Sequence, residues 1–208
     1  MLDLIVKTFI AYQLGSILGS LVLGKLRGVD IRTQGSGNAG GTNALRTQGA
    51  WFALGVMIID VGKGWFSATH LPSLFQIGGG DSWVLWTPIA CATAAVLGHV
   101  YPVWFEFRGG KGAATLIGVV MGLTPTATLP VMAVWLVVLM LSGYVGLATM
   151  CATAAFPLYA YWLLDSVPLT AFGVAMTAFV IYTHRGNIAR MRAGTENRSQ
   201  RLWLLRPR

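Results

Sequence analysis

Three polar segments interrupt an otherwise apolar chain, and each carries the residue types that hold a cluster of phosphate oxygens. The first reads Gly35-Ser36-Gly37-Asn38-Ala39-Gly40-Gly41-Thr42-Asn43-Ala44-Leu45-Arg46. The second runs from His99 to Thr115, with Arg108-Gly109-Gly110-Lys111-Gly112 at its centre. The third is His184-Arg185-Gly186-Asn187. Glycine leaves backbone N–H groups uncovered, Ser, Thr and Asn add neutral donors, and Arg, Lys and His add positive charge; together they suit an anionic ligand rich in oxygen.

In the first segment the glycines allow tight turns that aim several N–H groups at one anion, and Arg46 adds a two-pronged contact. An ordinary connecting loop with an arginine anchor needs fewer small polar residues. In the second, Arg108 to Gly112 stand before an apolar run, so glycine and lysine meet a helix N-terminus, where phosphate binds readily. Arg108 and Lys111 reaching headgroups from the membrane edge is the plainer alternative. The segment is not an ATP-binding loop: Lys111 is followed by Gly112 rather than Ser or Thr, and Phe105 stands where the first glycine of that motif belongs. In the third, His184 and Asn187 are three residues apart and share one helix face.

Outside these segments, Asp60 and Lys63 lie within an apolar run at a spacing that permits a helix-face pair. Their role is either structural or direct. His99 and Arg185 are secondary candidates, and His70 falls near the other membrane edge. The His-x4-Asp pattern of many acyltransferases is absent, since Phe75, Trp104 and Ala189 follow the three histidines at that distance. There is also no Gly-x-Ser-x-Gly nucleophile elbow. The expected pocket is therefore positively charged, rich in donors, without an enzyme nucleophile, metal or cofactor, and able to act through orientation and charge stabilisation.

The segments must be positioned by membrane helices. The chain of 208 residues is 55% hydrophobic and only 11% charged, against about a quarter charged in soluble domains. Its apolar runs are continuous rather than alternating, which selects helices over a barrel. The net charge of +8 reflects basic residues gathered in loops that stay in the cytoplasm rather than nucleic-acid binding. Cys91 and Cys151 both lie in apolar runs and suggest neither a disulfide framework nor a metal site. Hydropathy gives segments at 2–24, 50–71, 83–105, 112–123, 125–141, 144–164 and 167–183. The first is read as a retained span, since Lys25 and Arg27 follow its apolar core rather than precede it.

Residues 112–141 could form one long helix, or two separated at Thr124-Pro125. The break gathers the basic residues of loop 25–49, loop 106–111 and the tail, including Arg201, Arg206 and Arg208, on one side. It leaves Asp3, Lys7, Asp81 and Asp165 on the other. The expectation is an all-α integral membrane protein forming a single multi-pass domain over 1–208. It has seven transmembrane helices, the N-terminus outside, the C-terminus cytoplasmic and a basic tail at 186–208 on the anionic inner leaflet.

The polar segments resemble one family, the bacterial acyl-phosphate:glycerol-3-phosphate acyltransferases of the PlsY type. Gly35 to Arg46, Gly98 to Thr115, and His184 to Ile188 with Gly194-Thr195-Glu196 follow its three motifs in order, and Asp60 to Gly64 follow its Asp-x-x-Lys-Gly. Gly41 replaces a usual alanine, and Gly146-Leu147-Ala148-Thr149 replaces a serine-containing stretch, so a hydroxyl contact there would come from Thr149 or Ser142. The resemblance implies seven helices in the bacterial inner membrane and a site at the cytoplasmic face. It implies acyl transfer from acyl phosphate, made by an upstream acyl-phosphate-forming enzyme, to the sn-1 hydroxyl of glycerol 3-phosphate, giving lysophosphatidic acid and phosphate.

On that basis Arg46, Lys111, His184 and Asn187 are expected at the phosphate of glycerol 3-phosphate. Ser36, Gly37, Asn38, Thr42, Asn43 and the Gly109–Gly112 backbone, flanked by Gly35 and Thr115, are expected at the acyl phosphate. The proton acceptor is either the substrate's own phosphate or His184. A small organophosphate transporter would also gather Arg, Lys and His, but its site would lie near the membrane midplane. A lipid-binding scaffold would need fewer glycines.

Overall fold

The computed structural model describes residues 1–77, 86–200 and 202–205. Asp81, Arg201, Arg206, Arg208 and the first residues of the 83–105 segment lie outside these. Among the described residues every regular element is helical. The chain forms two compact units, Met1–Pro125 and Thr126–Arg208.

The first unit contains α1 (Leu2–Gly15), α2 (Gly19–Leu26), α3 (Gly41–Gln48), α4 (Ala50–Thr69), α5 (Thr87–Val100) and α6 (Ala113–Leu123). The 2–24 segment, read as one span, is broken: α1 and α2 meet at 46° around Ser16–Leu18. The cause is neighbouring structure rather than a proline. The Ser16 hydroxyl donates back to the Tyr12 carbonyl at 2.9 Å and accepts the Val103 N–H at 3.3 Å. Side chains of α4 take up the backbone groups that the break exposes, as described below.

Contacts along the helices set their directions. Ala11 packs with Cys91 and Ala94, and the Tyr12 hydroxyl donates to the Tyr101 carbonyl. Thus α1 runs parallel to α5. At the opposite end of the unit, Lys7 pairs with Asp3 at 2.7 Å and donates to the Pro72 carbonyl just past α4. Asp60, in the middle of α4, receives the N–H of Gly19, so α4 runs against both. Gly64 lies on the Thr115 backbone, Gly118 on Val61 and Gly122 on Ala68, so α6 runs parallel to α4. Loops 27–40 and 101–112 consequently share one end of this unit.

At Gly64 and Gly118 the α4–α6 contact has no room for a side chain. A Cβ on Gly64 or Gly118 would strike the carbonyl oxygen of Thr115 or Val61. Gly64→Ala is therefore expected to destabilise the fold by about 1–3 kcal/mol through overpacking against rigid backbone, seen as a lower thermal unfolding midpoint in detergent.

The second unit contains α8 (Val145–Trp162), α9 (Val167–Thr183) and α10 (Arg185–Arg192), together with α7 (Pro125–Ser142), which opens at the unit boundary. Thr124, at φ −151° and ψ 74°, ends α6, so 112–141 is two helices, the alternative that charge favoured. Phe156 meets Phe172 edge-on, the Thr177 hydroxyl donates to the Thr153 carbonyl, and Gly146 faces Asn187. This makes α8 and α9 an antiparallel pair whose α10 end lies beside the 143–144 turn. That turn is anchored by the tail: Ser199 N–H donates to the Gly143 carbonyl at 2.7 Å, and the Arg198 guanidinium lies over Tyr144 and Trp203.

By length and apolarity, Thr87–Phe105 and Pro125–Ser142 can each cross a bilayer. Among the described residues the count rises to four if α1–α2 and α9–α10 each form one bent span. Asp60 and Lys63 lower the average apolarity of α4.

Candidate functional site

The first polar segment is held from within. Asp30 opens a 3-10 turn at Ile31–Thr33, its carboxylate accepting the Arg32 N–H at 2.9 Å. Asn43, 1% exposed, donates through its amide nitrogen to the carbonyls of Ile31 and Gln34, and its amide oxygen accepts the Ser36 N–H. Gly35 has φ +57°, and a Cβ there would strike the Asn43 side chain, so glycine is required on both counts. The Asn43 amide, expected at substrate, thus shapes the loop. The Ser20 hydroxyl ties the loop to α2 by donating to the Ala39 carbonyl at 2.6 Å. The segment lies in the expected 25–49 loop, but Gly41–Gln48 is a helix, with Thr42 in its first turn and Arg46 exposed in its last.

The second segment is tied to the first. Leu18, Leu21 and Ala39 form one apolar cluster against Phe105. Arg32 grips Asp30 with two nitrogens, at 2.7 Å for its closest contact, and donates to the carbonyls of Phe105 and Arg108 at 3.3 and 3.4 Å. The Arg32 contact holds the Asp30 carboxyl below the usual carboxylate range, and Asp30 in turn raises the Arg32 guanidinium. A lowered carboxylate contributes stability that is present above its unfolded-state value and disappears as pH falls through the folded one, so this brace loosens only in acid. In the sequence Arg32 is one of the basic residues of loop 25–49, and the Asp30-x-Arg32 spacing is the signal of this brace. Beyond the brace, Gly109 and Gly110 donate to the carbonyls of Val100 and His99, and Gly112, at φ +86°, opens α6 with Lys111 half-buried beside it.

Beneath both segments lies a fully buried charge cluster. Asp60 accepts the Gly19 N–H at 3.1 Å and pairs with Lys63 at 2.9 Å. Lys63 also donates to the Ile17 carbonyl at 2.7 Å and contacts His99 Nδ1 at 3.0 Å. The carboxylate thus meets the start of α2 and the ammonium meets a carbonyl just beyond α1, each sign matching the helix end it faces. Of the two roles left open for Asp60 and Lys63, the contacts are structural ones. Thr115 is also buried, with its hydroxyl inside the packing rather than at the loops. An apolar groove of about 410 Å³ lies alongside, lined by Ile10, Gln13, Leu14, Ile17, Val22, Trp104 and Phe105.

In the second unit, His184 links α9 to α10 and is 4% exposed. Its Nδ1 donates to the Val180 carbonyl at 2.8 Å, which in the neutral ring makes Nε2 the lone-pair nitrogen. Asn187, also buried, donates to Glu196 at 2.8 Å, and Glu196 receives Arg190 at 2.7 Å. The basic tail expected at 186–208 therefore starts within α10 and folds back through Glu196. Arg185 points outward and stacks on Tyr182. The Ser142 hydroxyl donates to the Val138 carbonyl, and Thr149 bonds Val145 and Trp135. The unit brings Ser142 to the same end as His184 and Asn187, with Thr149 one turn deeper.

Comparison with known proteins places these features. Residues 5–194 match the family model described as glycerol-3-phosphate acyltransferase. The glycerol-3-phosphate acyltransferase of Aquifex aeolicus is 41% identical over 188 residues, which cover 90% of this chain and 95% of that protein. That of Geobacillus kaustophilus is 42% identical over 188 residues, covering 90% and 91%. Two crystal structures of PlsY, an integral membrane glycerol 3-phosphate acyltransferase, each cover 94% of both chains. The glycerol 3-phosphate form has a TM-score of 0.84 at 39% identity, and the lysophosphatidic acid form 0.82 at 38%. With its motifs, its helices and nearly its whole length matched, this chain belongs to the glycerol-3-phosphate acyltransferase family.

Proposed function

We propose that this protein transfers a fatty acyl group from acyl phosphate to the sn-1 hydroxyl of glycerol 3-phosphate, giving lysophosphatidic acid and phosphate. This would be the first acylation of bacterial phospholipid synthesis. The observation that carries this reading is the pair of glycine-rich segments braced at one end of the first unit, each with a cation, Arg46 or Lys111. The glycerol 3-phosphate and lysophosphatidic acid forms of PlsY support the substrate and the product.

Acyl phosphate is a mixed anhydride whose leaving group is already good, so no enzyme nucleophile is needed. The glycerol hydroxyl oxygen attacks the acyl carbon, the bond from that carbon to the phosphate oxygen breaks, and inorganic phosphate leaves with the electron pair. The hydroxyl proton passes to the substrate's own phosphate or to His184 Nε2. Arg46, Lys111, His184 and Asn187 are assigned to the phosphate of glycerol 3-phosphate. Ser36, Asn38, Thr42 and the Gly112 start of α6 are assigned to the acyl phosphate and its developing oxyanion, whereas the N–H groups of Gly37, Gly109 and Gly110, expected there too, are taken by the carbonyls of Gln34, Val100 and His99. The acyl chain is assigned to the groove lined by Leu14, Ile17 and Phe105.

In this reading the chain acts as one domain of seven spans, namely α1 with α2, then α4, α5, α6, α7, α8 and α9. The N-terminus lies outside, and the reaction takes place at the cytoplasmic face of the inner membrane. The donor comes from an upstream acyl-phosphate-forming enzyme.

Purified protein in detergent, given acyl phosphate and glycerol 3-phosphate, is expected to form lysophosphatidic acid. Binding of either substrate without product would instead favour a transporter or a lipid-binding protein. His184→Ala is expected to raise the KM for glycerol 3-phosphate by about tenfold, since a buried contact at Nε2 is lost. The maximal rate of the same variant assigns the proton. A value within about tenfold of the native one places it on the substrate phosphate, because a general base contributes about 10²–10⁴.

A further inference from the structure

The Gly109–Gly112 loop lies against the end of α5, with His99 at the centre of the contact. Gly109 and Gly110 donate to the carbonyls of Val100 and His99 at 3.2 and 3.1 Å. A Cβ on Gly109 would strike the His99 carbonyl oxygen, and one on Gly110 would strike the ring nitrogen Nε2. The main chain of His99 and Val100 and the His99 ring therefore form the mould against which both glycines lie.

The ring is fixed from its other edge. An ammonium has donors only, and Lys63 directs its three at Ile17, Asp60 and His99 Nδ1. Nδ1 contacts Lys63 at 3.0 Å and lies 3.6 Å from the Asp60 carboxylate, so the charge pair fixes this edge of the ring while Nε2 faces Gly110. His99 is 2% exposed and lies behind the loop rather than before it.

We propose that His99, locked by Lys63 and Asp60, is a positioning residue that sets where Lys111 and the Gly112 start of α6 meet a substrate phosphate, without touching substrate itself. This rests on the glycine loop being a phosphate cradle in the acyl transfer proposed above. A shift of the ring moves the cradle as a unit, which weakens binding of a phosphate-bearing substrate before it impairs the chemistry.

The test uses the full-length protein in detergent, with initial rates over both substrates and thermal unfolding measured in parallel. His99→Ala is expected to raise the KM for at least one phosphate-bearing substrate about tenfold or more, with kcat held within about threefold. His99→Gln, which keeps a polar group at this position between Lys63 and the loop, is expected to recover most of that loss. Gly110→Ala alone is expected to show a similar KM defect. In the His99→Ala background the added methyl enters space the ring has vacated, so the double variant is expected to be no worse than Gly110→Ala alone.

Two results overturn the proposal: KM values that stay native while kcat falls, or defects that multiply in the double variant. If His99→Ala does not fold, His99→Gln with and without Gly110→Ala supplies the same comparison. An unaltered protein that makes no lysophosphatidic acid overturns the acyl-transfer reading and this proposal together; an active native protein with either adverse pattern overturns the positioning role alone.

Discussion

Lys63→Met is expected to destabilise the protein by about 3–5 kcal/mol, the cost of leaving a buried carboxylate without its partner. Asp60 has no exposed surface, and Lys63 is its nearest cation at 2.9 Å. The substitution also removes the donor to the Ile17 carbonyl at the break between α1 and α2. Asp60→Asn in the same chain should restore part of the loss, since a neutral amide tolerates burial better than an unpaired charge. Thermal unfolding in detergent for the two single variants and the double variant checks this. Equal midpoints for Lys63→Met and the native protein would show that the pair holds nothing together.

Arg46→Ala is expected to lower kcat/KM by about 10²–10³, the usual cost of removing one charged donor from a preorganised anion site. The fold should hardly notice, because Arg46 is exposed on the last turn of α3 and the loop beside it is held by Asn43, Ser20 and Arg32. Arg46→Lys should recover only part of the rate, since a single ammonium cannot reproduce the planar fork of a guanidinium. Initial rates of phosphate release at varied glycerol 3-phosphate give the numbers. Activity within a few-fold of native for Arg46→Ala would remove Arg46 from the site.

Much of this was readable from residue types. The long apolar runs place α4, α7, α8 and α9 to within a few residues, because continuous apolarity over that length selects a helix. The break at Thr124 followed from charge placement. The polar segments announced their chemistry through glycine with Arg, Lys and His. What could not be read depends on long-range packing. The bend after Gly15 has no proline; it exists because Ser16, Asp60 and Lys63 make another arrangement of the backbone acceptable. Asn43 looked like a ligand contact, since a buried amide facing its own loop and one facing a phosphate are the same letter in a sequence. Asp60 and Lys63 were spaced as a pair, but nothing about His99, 36 residues further on, marked it as the third member.

The interrupted first apolar segment has a consequence for assembly. Lipid offers no hydrogen bonds, so a carbonyl and an N–H exposed in the middle of a hydrophobic stretch each cost several kcal/mol until something else satisfies them. Here that something is Asp60 and Lys63, which emerge from the ribosome roughly forty residues after the groups they serve. The leading helix cannot settle into its final bent form alone. It must wait, straight or partly inserted, until the following helix arrives to complete it, which makes the two a single unit of biogenesis.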